Sequence, residues 1–103
     1  MSWSRKELEK TVKVSDTWNW YGKNKVRVRL FCMLPMEGWE NASYIRVLVS
    51  SIDDFMMCID ICVQRDSEAC VESTYNFAKK YIFDAIPDEI SEAWLLEHGF
   101  YYF

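Results

Sequence analysis

The stretch Lys25-Val26-Arg27-Val28-Arg29-Leu30-Phe31-Cys32 decides the fold class, because its charged and apolar residues alternate with a period of two. Successive side chains of a β-strand point to opposite faces of the sheet, so this period predicts a strand with one buried face. The buried face is expected to hold Val26, Val28, Leu30 and Cys32. The opposite face is expected to present Lys25, Arg27, Arg29 and Phe31.

The residues around this strand predict a small antiparallel sheet. Tyr21-Gly22-Lys23-Asn24 has turn composition, so residues 18–34 predict a β-hairpin. Residues 35–41 have the composition of a loop. Beyond them, residues 44–50 alternate again and are expected to bury Ile45, Val47 and Val49. Residues 55–63 are apolar on both faces except at Asp60, which is typical of a central strand.

Two helix signals follow in the C-terminal third. Ser67 is a good N-cap for a helix that runs to about residue 84. Its apolar stripe is expected to include Cys70, Thr74, Phe77 or Ala78, Tyr81 and Ala85. A second helix is expected from about residue 87 to Glu97. Pro87 or Asp88 is a typical first residue, and Gly99 is a typical stop residue after the last turn.

Together these elements predict an α+β fold that forms a single domain over residues 1–103. We expect a three- to four-stranded antiparallel sheet with the two C-terminal helices packed on one face. A short N-terminal helix from about residue 5 to 12 is also expected, because Ser4 and Glu7 have the spacing of a capping box. The N-terminus is charged, and no run approaches about 18 apolar residues, so we expect a soluble cytoplasmic protein without membrane contact.

The side chains that could carry catalysis or hold a metal form no recognisable motif in the sequence. His98 is the single histidine, and the last turn of a helix gives it a structural role. Cys58 and Cys62 lie about 13 Å apart on a predicted strand, too far to share one zinc ion. Without an export signal, the cysteines are expected to be free thiols. We therefore expect no catalytic residue, no metal site and no cofactor, with a small enzyme of unknown class as an alternative.

Charge is distributed unevenly along the chain. Residues 1–50 carry a net charge of +4, whereas residues 51–103 carry −8. The acidic residues predicted to bind a partner are Asp84, Asp88, Glu89, Glu92 and Glu97. Such a negative surface is expected to dock onto a basic groove of a protein complex that itself handles nucleic acid. A solvated helix face explains the same acids without a partner.

The basic face of the central strand supports a second hypothesis. Lys25, Arg27 and Arg29, with Phe31 and the aromatic residues of segment 18–21, resemble a platform on which single-stranded nucleic acid stacks. However, the chain is acidic overall, with a pI of about 4.9. Ion pairs across strands with acids such as Asp54 or Asp60 would also account for these cations.

Aromatic residues indicate binding as well. The chain holds five tryptophans, more than one small core needs, and aromatic residues dominate interface hot spots. Trp39, Phe100, Tyr101 and Tyr102 are the aromatic residues predicted to contact a partner. The tail, residues 100–103, either adds a final strand to the sheet or forms an exposed patch for a partner. A second copy of the chain could be that partner, so a homodimer is an alternative.

Two stretches, SSIDDFMMCIDICV at residues 50–63 and EISEAWLLEHGFYYF at residues 89–103, carry a resemblance. In their general style, over residues 43–103, they look like small phage-encoded accessory proteins, the group that includes anti-CRISPR inhibitors. The resemblance carries over no functional residue. It implies a stoichiometric inhibitor in the host cytoplasm that blocks a defence nuclease by surface binding. The leading prediction is therefore a non-catalytic protein-binding module, with direct nucleic-acid binding as the alternative.

Overall fold

The computed structural model describes residues 7–15, 25–33, 43–51, 56–63 and 68–102, which form six β-strands and two α-helices. The elements in chain order are β1 (Glu7–Val14), β2 (Lys25–Met33), β3 (Ser43–Ser50), β4 (Met56–Val63), α1 (Glu68–Ala78), a π-helical turn (Lys79–Phe83), β5 (Glu89–Ile90), α2 (Glu92–Glu97) and β6 (Tyr101–Tyr102).

In the described part of the chain, the strands form one six-stranded mixed sheet that curls into a half-barrel. The strand order is β5-β1-β2-β3-β4-β6. Each neighbouring pair is antiparallel except β5 and β1, which are parallel. The predicted fold, a three- to four-stranded antiparallel sheet with two C-terminal helices and a short N-terminal helix, is therefore wrong. It missed β1, which was assigned to a helix, and the two-residue strand β5, and it left open whether the tail forms a strand, as it does in β6.

Residues 7–14 form strand β1 and not the predicted helix of residues 5–12. Val12 and Val14 are buried while Thr11 and Lys13 are exposed, which is the period of a strand. β1 pairs with β2 along nearly its whole length. This pairing outweighs the local capping signal, whose Ser4 lies outside the described residues. The predicted hairpin partner of β2, residues 18–21, also lies outside them.

The predicted faces of β2 and β3 are confirmed. Their buried residues are Val26, Val28, Leu30, Cys32, Ile45, Val47 and Val49. These side chains form the inner face of the sheet, which packs against α1 and the C-terminal segment through Val71, Tyr75, Phe83, Leu95 and Phe100. The opposite, outer face of the sheet carries the charged residues of β2 and those of β1 other than Lys10.

Helix α1 lies where a helix was predicted, but its buried residues share only Ala78 with the predicted stripe. The side chains that face the core are Val71, Tyr75 and Ala78. The expected members Cys70, Phe77 and Tyr81 are exposed. The π-helical turn adds one residue to the helical repeat, so the next core residue, Phe83, comes five positions after Ala78.

The second predicted helix begins later than expected, because residues 89–90 pair with β1 instead. Ser91 is the N-cap of α2, and its Oγ accepts a hydrogen bond from the Trp94 N–H at 3.1 Å. The helix ends at Glu97, and Gly99 follows as the predicted stop residue, with a φ of 89°. The Phe100 N–H then donates to the Leu95 carbonyl at 2.9 Å, which is the Schellman arrangement.

The segment between β5 and β6 crosses the whole sheet. These two strands lie at opposite edges, yet only residues 91–100 connect them. A flat six-stranded sheet would separate its edges by about 24 Å, and the connection would also have to pass roughly 10 Å above the face. Because α2 advances only about 1.5 Å per residue, the segment can join both edges only when the sheet curls.

Candidate functional site

A polar network lies on the outer face of the sheet where β3, β4 and β6 adjoin. Arg46 lies directly opposite Asp60, and its Nε and Nη2 donate to the two carboxylate oxygens at 2.7 and 2.8 Å. The hydroxyl of Tyr101 donates to Oδ2 of the same carboxylate at 2.9 Å. The side chains of Arg46 and Asp60 are only 14% and 15% exposed, so this is a partly buried ion pair.

The pKa values of Asp60 and Tyr101 shift in opposite directions within this network. Burial alone would raise the pKa of Asp60, but hydrogen bonds from Arg46 and Tyr101 outweigh it and bring that pKa below its usual value. Hydrogen bonds with Cys58 and Asp60 raise the pKa of Tyr101. The carboxylate therefore stays charged, and the Tyr101 hydroxyl remains a donor over the whole physiological range.

The next residue, Tyr102, points to the opposite side of β6 and reaches α2. Its hydroxyl donates a hydrogen bond to Oε2 of Glu92, the first residue of α2. Glu92 follows β5 after a single residue, so this bond ties the two edges of the half-barrel together. Burial and the hydrogen bond to Glu92 raise the pKa of Tyr102 to about 12.

Both tyrosine rings nevertheless remain accessible. Tyr101 is 47% exposed and Tyr102 is 50% exposed. Leu96, 49% exposed, lies one helical turn after Glu92 on the same face of α2. We call Glu92, Leu96, Tyr101 and Tyr102 the edge patch, in which Tyr101 lies on the outer side of β6 and the other three lie on the α2 side. It combines exposed apolar surface with side chains whose orientation is fixed by hydrogen bonds.

The aromatic residues predicted to bind a partner are therefore separated by the structure. Tyr101 and Tyr102 belong to the edge patch, whereas Phe100 is 3% exposed and packs in the core. The tail thus takes the first of its two predicted forms, a final strand paired with β4. Trp39 lies outside the described residues.

Three of the predicted acidic residues lie among cations near the β1 edge. Asp84 binds Nζ of Lys79 at 2.8 Å. Asp84 and Asp88 also favour the charged form of Lys10, although burial lowers the pKa of that lysine overall. Glu89 is the register partner of Lys13 between β5 and β1. The negative charge at this edge is thus partly balanced within the chain.

The other two predicted acids, Glu92 and Glu97, lie on α2. Glu92 accepts the Tyr102 hydrogen bond, and Glu97 is exposed at the end of the helix. No ion pair involves either carboxylate in the part of the chain that the structure describes. They give the edge patch a negative rim.

The predicted basic face is present on β2, but its arginines are paired. The Arg27 Nε lies 3.4 Å from Glu9, and the Arg29 Nη1 lies 3.4 Å from Glu7. The sequence suggested ion pairs with other acids, because the segment that holds Glu7 and Glu9 was expected to be helical. Long, exposed pairs of this kind contribute about 1 kcal/mol or less, so a stronger anionic ligand could replace the glutamates.

Of the described thiols, two are buried and Cys70 is exposed, and the histidine packs on a tryptophan. Cys32 and Cys58 are buried, and burial raises the pKa of both thiols. The His98 ring stacks on Trp94 with centroids 3.8 Å apart, and its Nδ1 lies 2.7 Å from the Trp94 carbonyl. A carbonyl only accepts, so Nδ1 carries a proton. Across the described ranges, no three His, Cys, Asp or Glu side chains could hold a metal ion.

Sequence reasoning missed one exposed aromatic pair. Phe77 and Tyr81 are 53% and 58% exposed, and their ring centroids lie 4.9 Å apart. Lys80 Nζ lies 5.1 Å from the Tyr81 ring. The four-residue spacing of the two rings was visible, but it was assigned to the buried stripe of α1. In contrast to the edge patch, no hydrogen bond of the described residues anchors these rings.

The chain matches no protein-family model, no curated protein and no solved structure. Among the described residues, no helix has both the length and the apolar character needed to cross a membrane.

Proposed function

We propose that the chain is a non-catalytic protein-binding module that contacts its partner through the edge patch. One observation carries this proposal: two adjacent tyrosines are half exposed while their hydroxyl groups are bound to Asp60 and Glu92. Tyrosine is enriched at interface hot spots. A ring that is already held in place loses little conformational entropy on binding, so its contact surface contributes more affinity.

The charge of the patch indicates the chemistry of the partner. Glu92 and Glu97 form a negative rim, within a half of the chain that carries a net charge of −8. A complementary surface has an apolar pocket bordered by lysine or arginine, as found on proteins that bind nucleic acid. Together with the resemblance to phage-encoded inhibitors, this supports a stoichiometric inhibitor of a nucleic-acid-handling complex of the CRISPR type.

Leu96→Asp provides the sharpest test, because Leu96 is exposed and its side chain is outside both hydrogen-bond networks. The matched control is Phe77→Asp, since Phe77 is similarly exposed on α1. Affinity capture from nuclease-treated host extract should recover the same basic protein with the wild type and the control. Recovery should fall at least tenfold with Leu96→Asp and decline as salt increases. Equal recovery with both variants would contradict the proposal.

A single-stranded nucleic-acid binder is the second candidate, favoured by the position of Lys25 and Arg27 on an open groove of the outer face. This function predicts that Arg27→Ala with Arg29→Ala lowers oligonucleotide affinity and the salt slope. If no oligonucleotide shows a mobility shift at low salt, the nucleic-acid-binding candidate is rejected.

A further inference from the structure

A half-open groove of about 360 Å³ lies at one end of the outer sheet face. Thr11, Arg27 and Ser50 occupy neighbouring positions across β1, β2 and β3 and form its floor. Lys25 and Ser51 complete the lining at the end of the sheet. One strand, β4, lies between the β3 side of the groove and β6, and no residue is shared by the groove and the edge patch.

Two lysines lie side by side at the groove, and one of them, Lys13, also has Glu89 as its register partner on β5. Lys13 and Lys25 are direct register partners on β1 and β2, and like charges in this position destabilise a sheet. No carboxylate lies within 4.0 Å of either ammonium among the residues that the structure describes. Among the described residues, Arg27 has one ion-pair partner, Glu9, and this contact is long and half-exposed.

We propose that this groove, with Lys13 beside it, is a binding site for a phosphate group. Lys13 and Lys25 supply two ammonium charges, and Arg27 can turn from Glu9 to donate two parallel hydrogen bonds to phosphate oxygens. The Thr11 and Ser50 hydroxyl groups add neutral donors on the floor. The volume lies at the lower end of the range for small-molecule sites, about 300–1,000 Å³, and so fits a nucleotide-sized ligand.

The test is a titration of the full chain with inorganic phosphate, followed by backbone amide NMR shifts, against sodium chloride of equal ionic strength. Shifts are expected at Thr11, Lys25, Arg27 and Ser50, with saturation in the millimolar range. Lys13→Gln with Lys25→Gln should weaken binding about tenfold. Lys79→Gln with Lys80→Gln, which removes two charges from the π-helical turn, should leave it unchanged.

Two further ligands identify the source of the phosphate. A nucleoside monophosphate that binds as tightly as a thymidine octanucleotide assigns the groove to a small molecule. An octanucleotide that binds at least tenfold more tightly, with the same loss in Lys13→Gln with Lys25→Gln, assigns it to a nucleic-acid strand. The proposal is overturned if phosphate shifts the groove amides no more than chloride does, or if the Lys13 and Lys25 substitutions leave binding unchanged. Neither result affects the Leu96→Asp test of the edge patch.

Discussion

The Tyr101 hydroxyl donates a hydrogen bond to Oδ2 of Asp60 at 2.9 Å, which holds a half-exposed ring against a partly buried ion pair. The contact joins residues that are 41 positions apart in the chain. It fixes β6 to β4 through side chains as well as through the short backbone pairing. The proposed binding surface at the edge of the sheet therefore rests on the Arg46–Asp60 pair beneath it.

Tyr101→Phe should distinguish the contribution of the aromatic ring from that of the hydroxyl hydrogen bond that holds it. The variant keeps the aromatic surface but loses one hydrogen bond, so unfolding in urea should become about 1 kcal/mol easier. Affinity for the captured partner should fall only a few fold, whereas Tyr101→Ala should lower it about thirtyfold, as expected of a hot spot. Calorimetric titration measures both values. An equal loss in both variants would show that the ring contributes no contact surface.

Asp60→Asn should make stability depend less on pH. The folded-state pKa of Asp60 lies below its unfolded value, so the interaction stabilises the fold fully above about pH 4 and is lost as pH falls through the folded pKa. At pH 7 the variant should lose about 2–3 kcal/mol. The difference from the wild type should shrink progressively below about pH 4.

Urea unfolding from pH 7 to pH 2 measures this difference. Asp84→Asn is the control, because its ion pair with Lys79 is exposed and should contribute about 1 kcal/mol or less. A gap between wild type and Asp60→Asn that stays constant down to pH 2 would refute the assigned role of the carboxylate charge.

Lys10→Met should loosen the contact between β1 and the segment after α1. Nζ of Lys10 donates to the Phe83 carbonyl at 2.6 Å and lies 3.4 Å from the Ile86 carbonyl. Methionine retains most of the apolar stem but leaves both carbonyls without this donor, so we expect a loss of about 1–2 kcal/mol. Thermal denaturation checks it, with the exposed Lys13→Met as control. Equal melting temperatures of the wild type and Lys10→Met would show that Lys10 does not stabilise this contact.

Phe100→Ala should behave as a core variant. Phe100 is 3% exposed and packs in the core with Leu95. The cavity should cost about 3–5 kcal/mol, whereas the exposed Phe77→Ala should stay within about 1 kcal/mol of the wild type. Phe100→Leu should remain folded at lower stability and retain partner binding, which separates a core role from a binding role. Lost binding in a folded Phe100→Leu protein would reverse that assignment.

The central strands could be predicted because a sheet with one buried face imposes a period of two on its sequence. β2 and β3 keep this period without exception on their buried side. β1 was missed because Lys10 occupies an inward position among Leu8, Val12 and Val14. A lysine is accepted there since it reaches the carbonyls of Phe83 and Ile86, which are more than 70 residues away in the chain.

The edge patch could be predicted only in part. Its tyrosines stood out because the tail is more aromatic than a small core requires. Their anchors, Asp60 and Glu92, could not be inferred, because β5 and β6 are two-residue strands that exist only through pairing with distant segments. Local propensity contains no information on such pairing.

The most direct measurement of partner contact is site-specific photocrosslinking in the native host. A photoreactive phenylalanine analogue is placed at position 96 in the edge patch or, as the matched exposed control, at position 77 on α1. If the edge patch is the binding surface, one dominant adduct with a basic protein should form from position 96 and be at least tenfold weaker from position 77. An adduct that forms from position 77 and not from position 96 would contradict a partner bound at the β6 edge.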